Sequence, residues 1–216
     1  WSSRFESHYN HSLVVSETTY QPNEKALNQL DAFLNSKSKG YIFLKGTPGS
    51  GKSTLLTQWV RTIPNKSVRY YAFDFTDPSS QRNNDPQRGE RVTFLYDMVH
   101  EMEKAGFGHS NTLLYKDYDF LKNRFYDLLK SMSDEFQKTR LPVVMVVDGL
   151  DHIIREYDVA NRSLMKVLPS LSDLPEGVVF VLGSQHFDGL GLHISIEKEA
   201  KNGGSLVEMG PFSNTE

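Results

Sequence analysis

Apolar residues follow two rhythms along the chain. Tyr41-Ile42-Phe43-Leu44, Pro142-Val143-Val144-Met145-Val146-Val147, which ends in the carboxylate of Asp148, and Val178-Val179-Phe180-Val181-Leu182 are short unbroken apolar runs. Such runs predict strands buried on both faces. Val68-Arg69-Tyr70-Tyr71-Ala72-Phe73-Asp74-Phe75, rich in β-branched and aromatic residues, predicts another strand, and Leu206-Val207-Glu208-Met209 a last one after the turn Asn202-Gly203-Gly204. His193-Ile194-Ser195-Ile196-Glu197 also reads as a short strand.

Elsewhere the apolar positions recur every three or four residues, as on a helix with one buried face. Ala26, Leu27, Leu30, Phe33 and Leu34 mark one helix, ended by Lys37-Ser38-Lys39-Gly40. Phe94, Leu95, Met98, Val99 and Met102 mark a second; Leu121, Phe125, Leu128, Leu129, Met132 and Phe136 mark a third. Leu164, Met165, Val167 and Leu168 predict a further helix, closed by Leu174-Pro175-Glu176-Gly177. Strands alternating with helices imply an α/β fold with a parallel sheet. Ligands of such sheets sit at the carboxyl ends of the strands.

Polar segments complete the pattern. Residues 1–20 hold polar and aromatic residues with one short apolar piece, Leu13-Val14-Val15, and read as a linker. His8 and His11 have no further metal ligands beside them. Thr76 to Arg91 is broken by Pro78, Pro86 and Gly89 and reads as a long loop; its Arg82, Arg88 and Arg91 are either solvated or turned toward a phosphate or a partner.

Composition narrows the class. A chain of 216 residues can bury a substantial core, and a net charge of −3 gives no overall electrostatic footprint for nucleic acid. There are no cysteines, which removes disulfides and thiolate metal sites and fits a reducing, cytoplasmic setting. No apolar run approaches a membrane span, and the start Trp1-Ser2-Ser3-Arg4 lacks an initiator Met and a signal-peptide core. The chain is therefore expected to begin inside a longer protein.

The chemistry concentrates between the first strand and Leu55-Leu56-Thr57-Gln58-Trp59-Val60. Gly46-Thr47-Pro48-Gly49-Ser50-Gly51-Lys52-Ser53-Thr54 has the phosphate-binding spacing G-x-x-x-x-G-K-[ST], in its strand-to-helix context. Glycines at 46, 49 and 51 let backbone N–H groups wrap a polyphosphate, and the following helix presents its positive dipole end. Lys52 supplies a mobile charge for the outer phosphates, Ser53 a hydroxyl for magnesium, and Thr54 is placed to reach the inner phosphate. Asp148 ends a buried strand, where it either caps the next helix or holds the magnesium shell opposite Ser53. Asp151, three residues on, either orients a water for in-line attack or is a helix N-cap.

With Val146-Val147-Asp148-Gly149-Leu150-Asp151 beside the phosphate loop, the chain resembles the STAND class of signalling ATPases, and within it the NACHT-like branches. Three weaker likenesses accompany these two motifs. Tyr20-Gln21-Pro22-Asn23-Glu24 stands where the family has a base-contacting lead-in with Gly-Arg, Leu174-Pro175 and the strand to Ser184 resemble its phosphate-sensing strand, and Leu206 to Glu216 resembles the step into its helical lid. The resemblance implies a P-loop three-layer sandwich around a mainly parallel five-stranded sheet, AAA+/STAND-like, over 21–216, stopping where the lid begins. It implies ATP or ADP with Mg2+ as cofactors, Lys52, Asp148 and Asp151 as catalytic residues, and Ser184 and Gln185 as phosphate sensors. It also implies flanking effector and sensor domains and self-oligomerisation as partners. Gln185 departs from the family's arginine and brings no charge; His152 stands where a second acid often occurs. The expected function is a slowly hydrolysing nucleotide switch, with a P-loop kinase or a non-hydrolysing scaffold as alternatives. No Asn-Lys-x-Asp guanine motif is present.

Overall fold

The computed structural model describes residues 23–72, 86–108, 117–156 and 162–210. Among them the elements run α1 (Glu24–Ser36), β1 (Gly40–Gly46), α2 (Lys52–Thr62), β2 (Ser67–Tyr71), α3 (Arg91–Lys104), α4 (Tyr118–Thr139), β3 (Val143–Asp148), α5 (Leu150–Glu156), β4 (Val178–Ser184), α6 (Ile194–Lys201) and β5 (Leu206–Met209). The five strands form one sheet in the order β2-β3-β4-β1-β5, and every neighbouring pair is parallel.

That order brings the site together. β4 lies between β1 and β3, so the two strands that carry the phosphate loop and Asp148 are one strand apart. Lys45 is in register with Ser184, Gly46 with Met209, and Tyr71 with Asp148, which lines up the carboxyl ends of all five strands.

Side-chain alternation then splits the interior into two cores. Ile42, Leu44, Val144, Val146, Val179, Val181 and Val207 face α1 and α2, where Ala26, Leu30, Leu34, Leu55, Leu56 and Trp59 meet them. The opposite positions, Tyr41, Phe43, Tyr70, Met145, Val147, Phe180 and Leu182, face α3 to α6. β3 and β4 are buried along their whole length, which is why their sequences read as continuous apolar runs rather than alternating ones. The fold is thus the three-layer α/β sandwich expected, with a wholly parallel sheet.

Two expectations are corrected. His193 to Glu197 is not a strand: Ile194–Lys201 is a helix, with His193 as its N-cap, whose Nδ1 accepts the Ser195 amide at 3.2 Å. Ile196 and Ala200, four apart, are its buried pair, while Ile194 is 58% exposed, so the apparent two-residue alternation carried no sheet face. The helix expected through Leu164 to Leu168 is only a 3₁₀ turn, Leu164–Lys166. Pro169 lacks an amide donor and disfavours helical backbone at Leu168, while Ser163, just before the turn, is bridged to Glu90.

The proposed lead-in around Tyr20 to Pro22, the linker with His8 and His11, Arg82, and the lid step from Pro211 lie outside the described residues. Asn23 is described, and its side chain caps α1 by accepting the Ala26 amide at 3.0 Å.

Candidate functional site: a phosphate loop facing a strand-end aspartate

The loop between β1 and α2 is shaped by its glycines. Gly49 and Gly51 have φ of 75° and 83°, backbone that L side chains rarely adopt. At Gly46 the constraint is space: an added Cβ would lie 2.6 Å from Ser50 Oγ and 3.1 Å from the Met209 carbonyl of β5. The loop therefore curls tightly against the sheet end, with the Ser50 amide donating to the Thr47 carbonyl at 3.1 Å. Ser50 Oγ is buried and without a hydrogen-bond partner among the described residues, a polar atom of the kind that a ligand oxygen would satisfy.

Lys52 opens α2 and folds back over the loop, its Nζ donating to the carbonyls of Gly46 at 2.7 Å and Thr47 at 3.1 Å. The next residue makes the contact on which the site is built. Ser53 Oγ donates to Asp148 Oδ2 at 2.5 Å, joining the helix start to the end of β3 across 95 residues of sequence. Asp148 Oδ1 accepts the Gly149 amide at 2.8 Å, so the carboxylate is fixed from both sides. Its room is provided by Gly183 on β4, where a Cβ would overlap the carboxylate. Asp148 ends β3 two residues before α5 begins at Leu150.

The second acid is arranged differently. Asp151 lies in the first turn of α5 rather than at its N-cap, and it is buried. Its Oδ1 accepts the Gln185 amide at 3.1 Å, and its Oδ2 accepts Gln185 Nε2 at 2.5 Å. A carboxylate is acceptor-only when ionised, so the amide's NH2 end must face it. The His152 ring lies 3.8 Å away, on the same carboxylate oxygen. Ser184 is fully buried and donates to the His186 carbonyl at 2.6 Å.

The structure thus brings Gly46 to Thr54, Asp148 and Ser184 to one edge of the sheet, and ties Asp151 to Gln185 beside them. It gives Arg88 and Arg91 other work. Arg88 is buried, donates through Nε to the Tyr71 carbonyl at 2.7 Å and packs over the Tyr70 ring. Arg91 lies over the Tyr118 ring at 4.1 Å. Sequence reasoning assigned no role to Gly183, which follows the apolar run Val178 to Leu182; its signal was a glycine at the end of a buried strand next to one ending in a carboxylate.

The donor set fits a magnesium nucleotide. Magnesium keeps several waters and needs only one or two protein oxygens beside those of a phosphate, and the Ser53 hydroxyl and Asp148 carboxylate are two such oxygens in contact. No cluster of three His, Cys, Asp or Glu suited to a protein-caged metal exists among the described residues.

A parallel sheet with a glycine-rich loop between its first strand in sequence, β1, and a helix, facing a strand-end aspartate, defines the class of P-loop nucleotide-binding folds. Solved structures of that class are similar. The Walker-type ATPase PABY2304 of Pyrococcus abyssi superposes with a TM-score of 0.51 at 14% identity, over 92% of this chain and 55% of its own. The Aeropyrum pernix ORC2 protein in its ADP form superposes with a TM-score of 0.52 at 14% identity, over 89% of this chain and 50% of its own. The chain spans about half the length of these structures. More narrowly, it belongs to the Nephrocystin 3, N-terminal family, whose model matches residues 26–183. No curated protein matches it. Among the described residues no helix is long and apolar enough to cross a membrane.

Proposed function

We propose that the protein binds ATP and ADP with magnesium and acts as the switch module of a STAND-class, NACHT-like signalling ATPase. The observation that carries this reading is the 2.5 Å contact of Ser53 with Asp148 beside the curled phosphate loop. The ADP form of the similarly folded ORC2 protein and the ATPase name of the Pyrococcus abyssi protein support the choice of nucleotide.

Each residue has a task in it. Backbone amides from Gly46 to Thr54 hold the phosphates, while Lys52 exchanges its two loop carbonyls for the outer phosphate. Ser53 and Asp148 hold magnesium, which when bound neutralises phosphate charge. Asp151 orients the attacking water, and Ser184 and Gln185 report the outer phosphate to β4. Because contacts to that phosphate exist only with ATP, the two nucleotides favour different states, and only such a difference can drive a switch. On this reading 21–216 is the core, 1–20 leads into it, and flanking effector and sensor domains and neighbouring copies of the protein respond to its state.

One alternative has an observation in its favour. Both oxygens of Asp151 are taken by Gln185, which supplies no charge to a transition state, and that suits a scaffold that binds without turnover. The kinase reading lacks such support, since Arg88 and Arg91 are committed to aromatic neighbours.

Titration with ADP, with and without magnesium, tests the proposal. Magnesium should tighten binding to the wild type and do little for Ser53→Ala. A wild type that binds ADP under neither condition overturns it. Phosphate release from ATP then separates the slow switch from the scaffold.

A further inference from the structure

The contact of Ser53 with Asp148 joins two elements that could otherwise move independently, the start of α2 and the end of β3. A second set of bonds spans the same two elements from inside. Thr57, one turn along α2 and fully buried, donates through Oγ1 to the Ser53 carbonyl at 2.8 Å. Its single hydroxyl hydrogen is spent there, so at its 2.8 Å contact with Tyr71 the phenol is the donor. Tyr71, 4% exposed, ends β2 in register with Asp148, and the Ala72 amide donates to the Asp148 carbonyl at 2.9 Å. The Tyr71 carbonyl is itself held by Arg88 Nε at 2.7 Å.

These bonds close a ring. It runs from the Ser53 hydroxyl to the Asp148 carboxylate, through the β3 and β2 backbone to Tyr71, through its phenol to Thr57, and back to the Ser53 carbonyl. Resting on the nucleotide reading above, we infer that Tyr71 and Thr57 are positioning residues for magnesium, fixing the start of α2 so that the Ser53 and Asp148 oxygens stay at one coordination distance. The effect of Tyr71 and Thr57 is on the metal step and not on phosphate capture by the loop amides and Lys52.

That division makes the inference testable. Outer partners of metal ligands change metal affinity by about 10- to 100-fold when removed. ADP is titrated into the protein at a series of magnesium concentrations, in the wild type, Tyr71→Phe, Thr57→Val and Thr57→Ser. The magnesium concentration for half-maximal tightening should rise about tenfold in Tyr71→Phe and Thr57→Val. Thr57→Ser, which keeps the hydroxyl, should stay with the wild type. ADP affinity without magnesium should be the same in all four. A wild-type magnesium dependence in Tyr71→Phe, or an equal loss of affinity with and without magnesium, overturns the inference and leaves the nucleotide reading intact. A wild type that binds no ADP overturns the reading beneath it.

Discussion

At the residue scale, two side chains far apart in sequence meet because each sits at an end that the fold defines. Ser53 is the second residue of α2, and Asp148 is the last of β3. Both were legible, since loop spacing and a carboxylate after an apolar run are local patterns. The pairing of Asp151 with Gln185 was not, because it depends on β4 lying beside β3, which no local pattern states. Gly183 belongs to the same hidden set. Gly183→Ala should place a methyl on the Asp148 carboxylate, lower stability by about 1–3 kcal/mol as overpacking does, and weaken magnesium-dependent ADP binding. Urea unfolding and ADP titration check the two effects; unchanged binding would mean that Asp148 has room to move.

At the element scale, long helices and buried strands were read correctly because their periods persist over many residues. α3 buries Phe94, Leu95, Met98, Val99 and Met102, the expected stripe, and α4 buries Leu121, Phe125, Leu128, Leu129 and Met132. Short elements failed for a reason of the same kind. Five residues at His193 fit either period, and only packing of Ile196 and Ala200 decides. Packing between elements also sets a prediction away from the site. Gly177, just before β4, has φ of 84°, and a Cβ there would overlap Phe136 near the end of α4. Gly177→Ala should lower stability by about 1–3 kcal/mol, seen as a lower urea midpoint, without changing ADP affinity. An unaltered midpoint would show that α4 is free to shift at that contact.

At the scale of the whole molecule, the sheet divides stability from chemistry. Its carboxyl edge carries the phosphate loop, while buried groups elsewhere set the response to pH. Tyr41 is fully buried on β1 and donates to the Pro169 carbonyl at 2.5 Å. Burial pushes its pKa well above the usual tyrosine value, with the charges of Tyr126 and Glu199 adding to the effect. The folded protein therefore keeps this proton to higher pH than the unfolded chain does. The resulting stability is complete below about pH 10 and is lost as pH rises beyond it. Tyr41→Phe should cost about 1–2 kcal/mol at neutral pH through the orphaned Pro169 carbonyl, yet lose less between pH 8 and pH 10.5 than the wild type. Urea unfolding at these pH values reads both, and equal alkaline losses would contradict the assignment.

On the proposed function, the loop from Gly46 to Thr54 holds an adenine nucleotide through Lys52 and its backbone amides. Calorimetric titration of the wild type and Lys52→Ala with ATP, ADP and GTP in magnesium tests it most directly. ATP and ADP should bind in preference to GTP, with affinity weakened at least about tenfold, or 1.4 kcal/mol, in Lys52→Ala. Equal affinity in the wild type and the variant would contradict it.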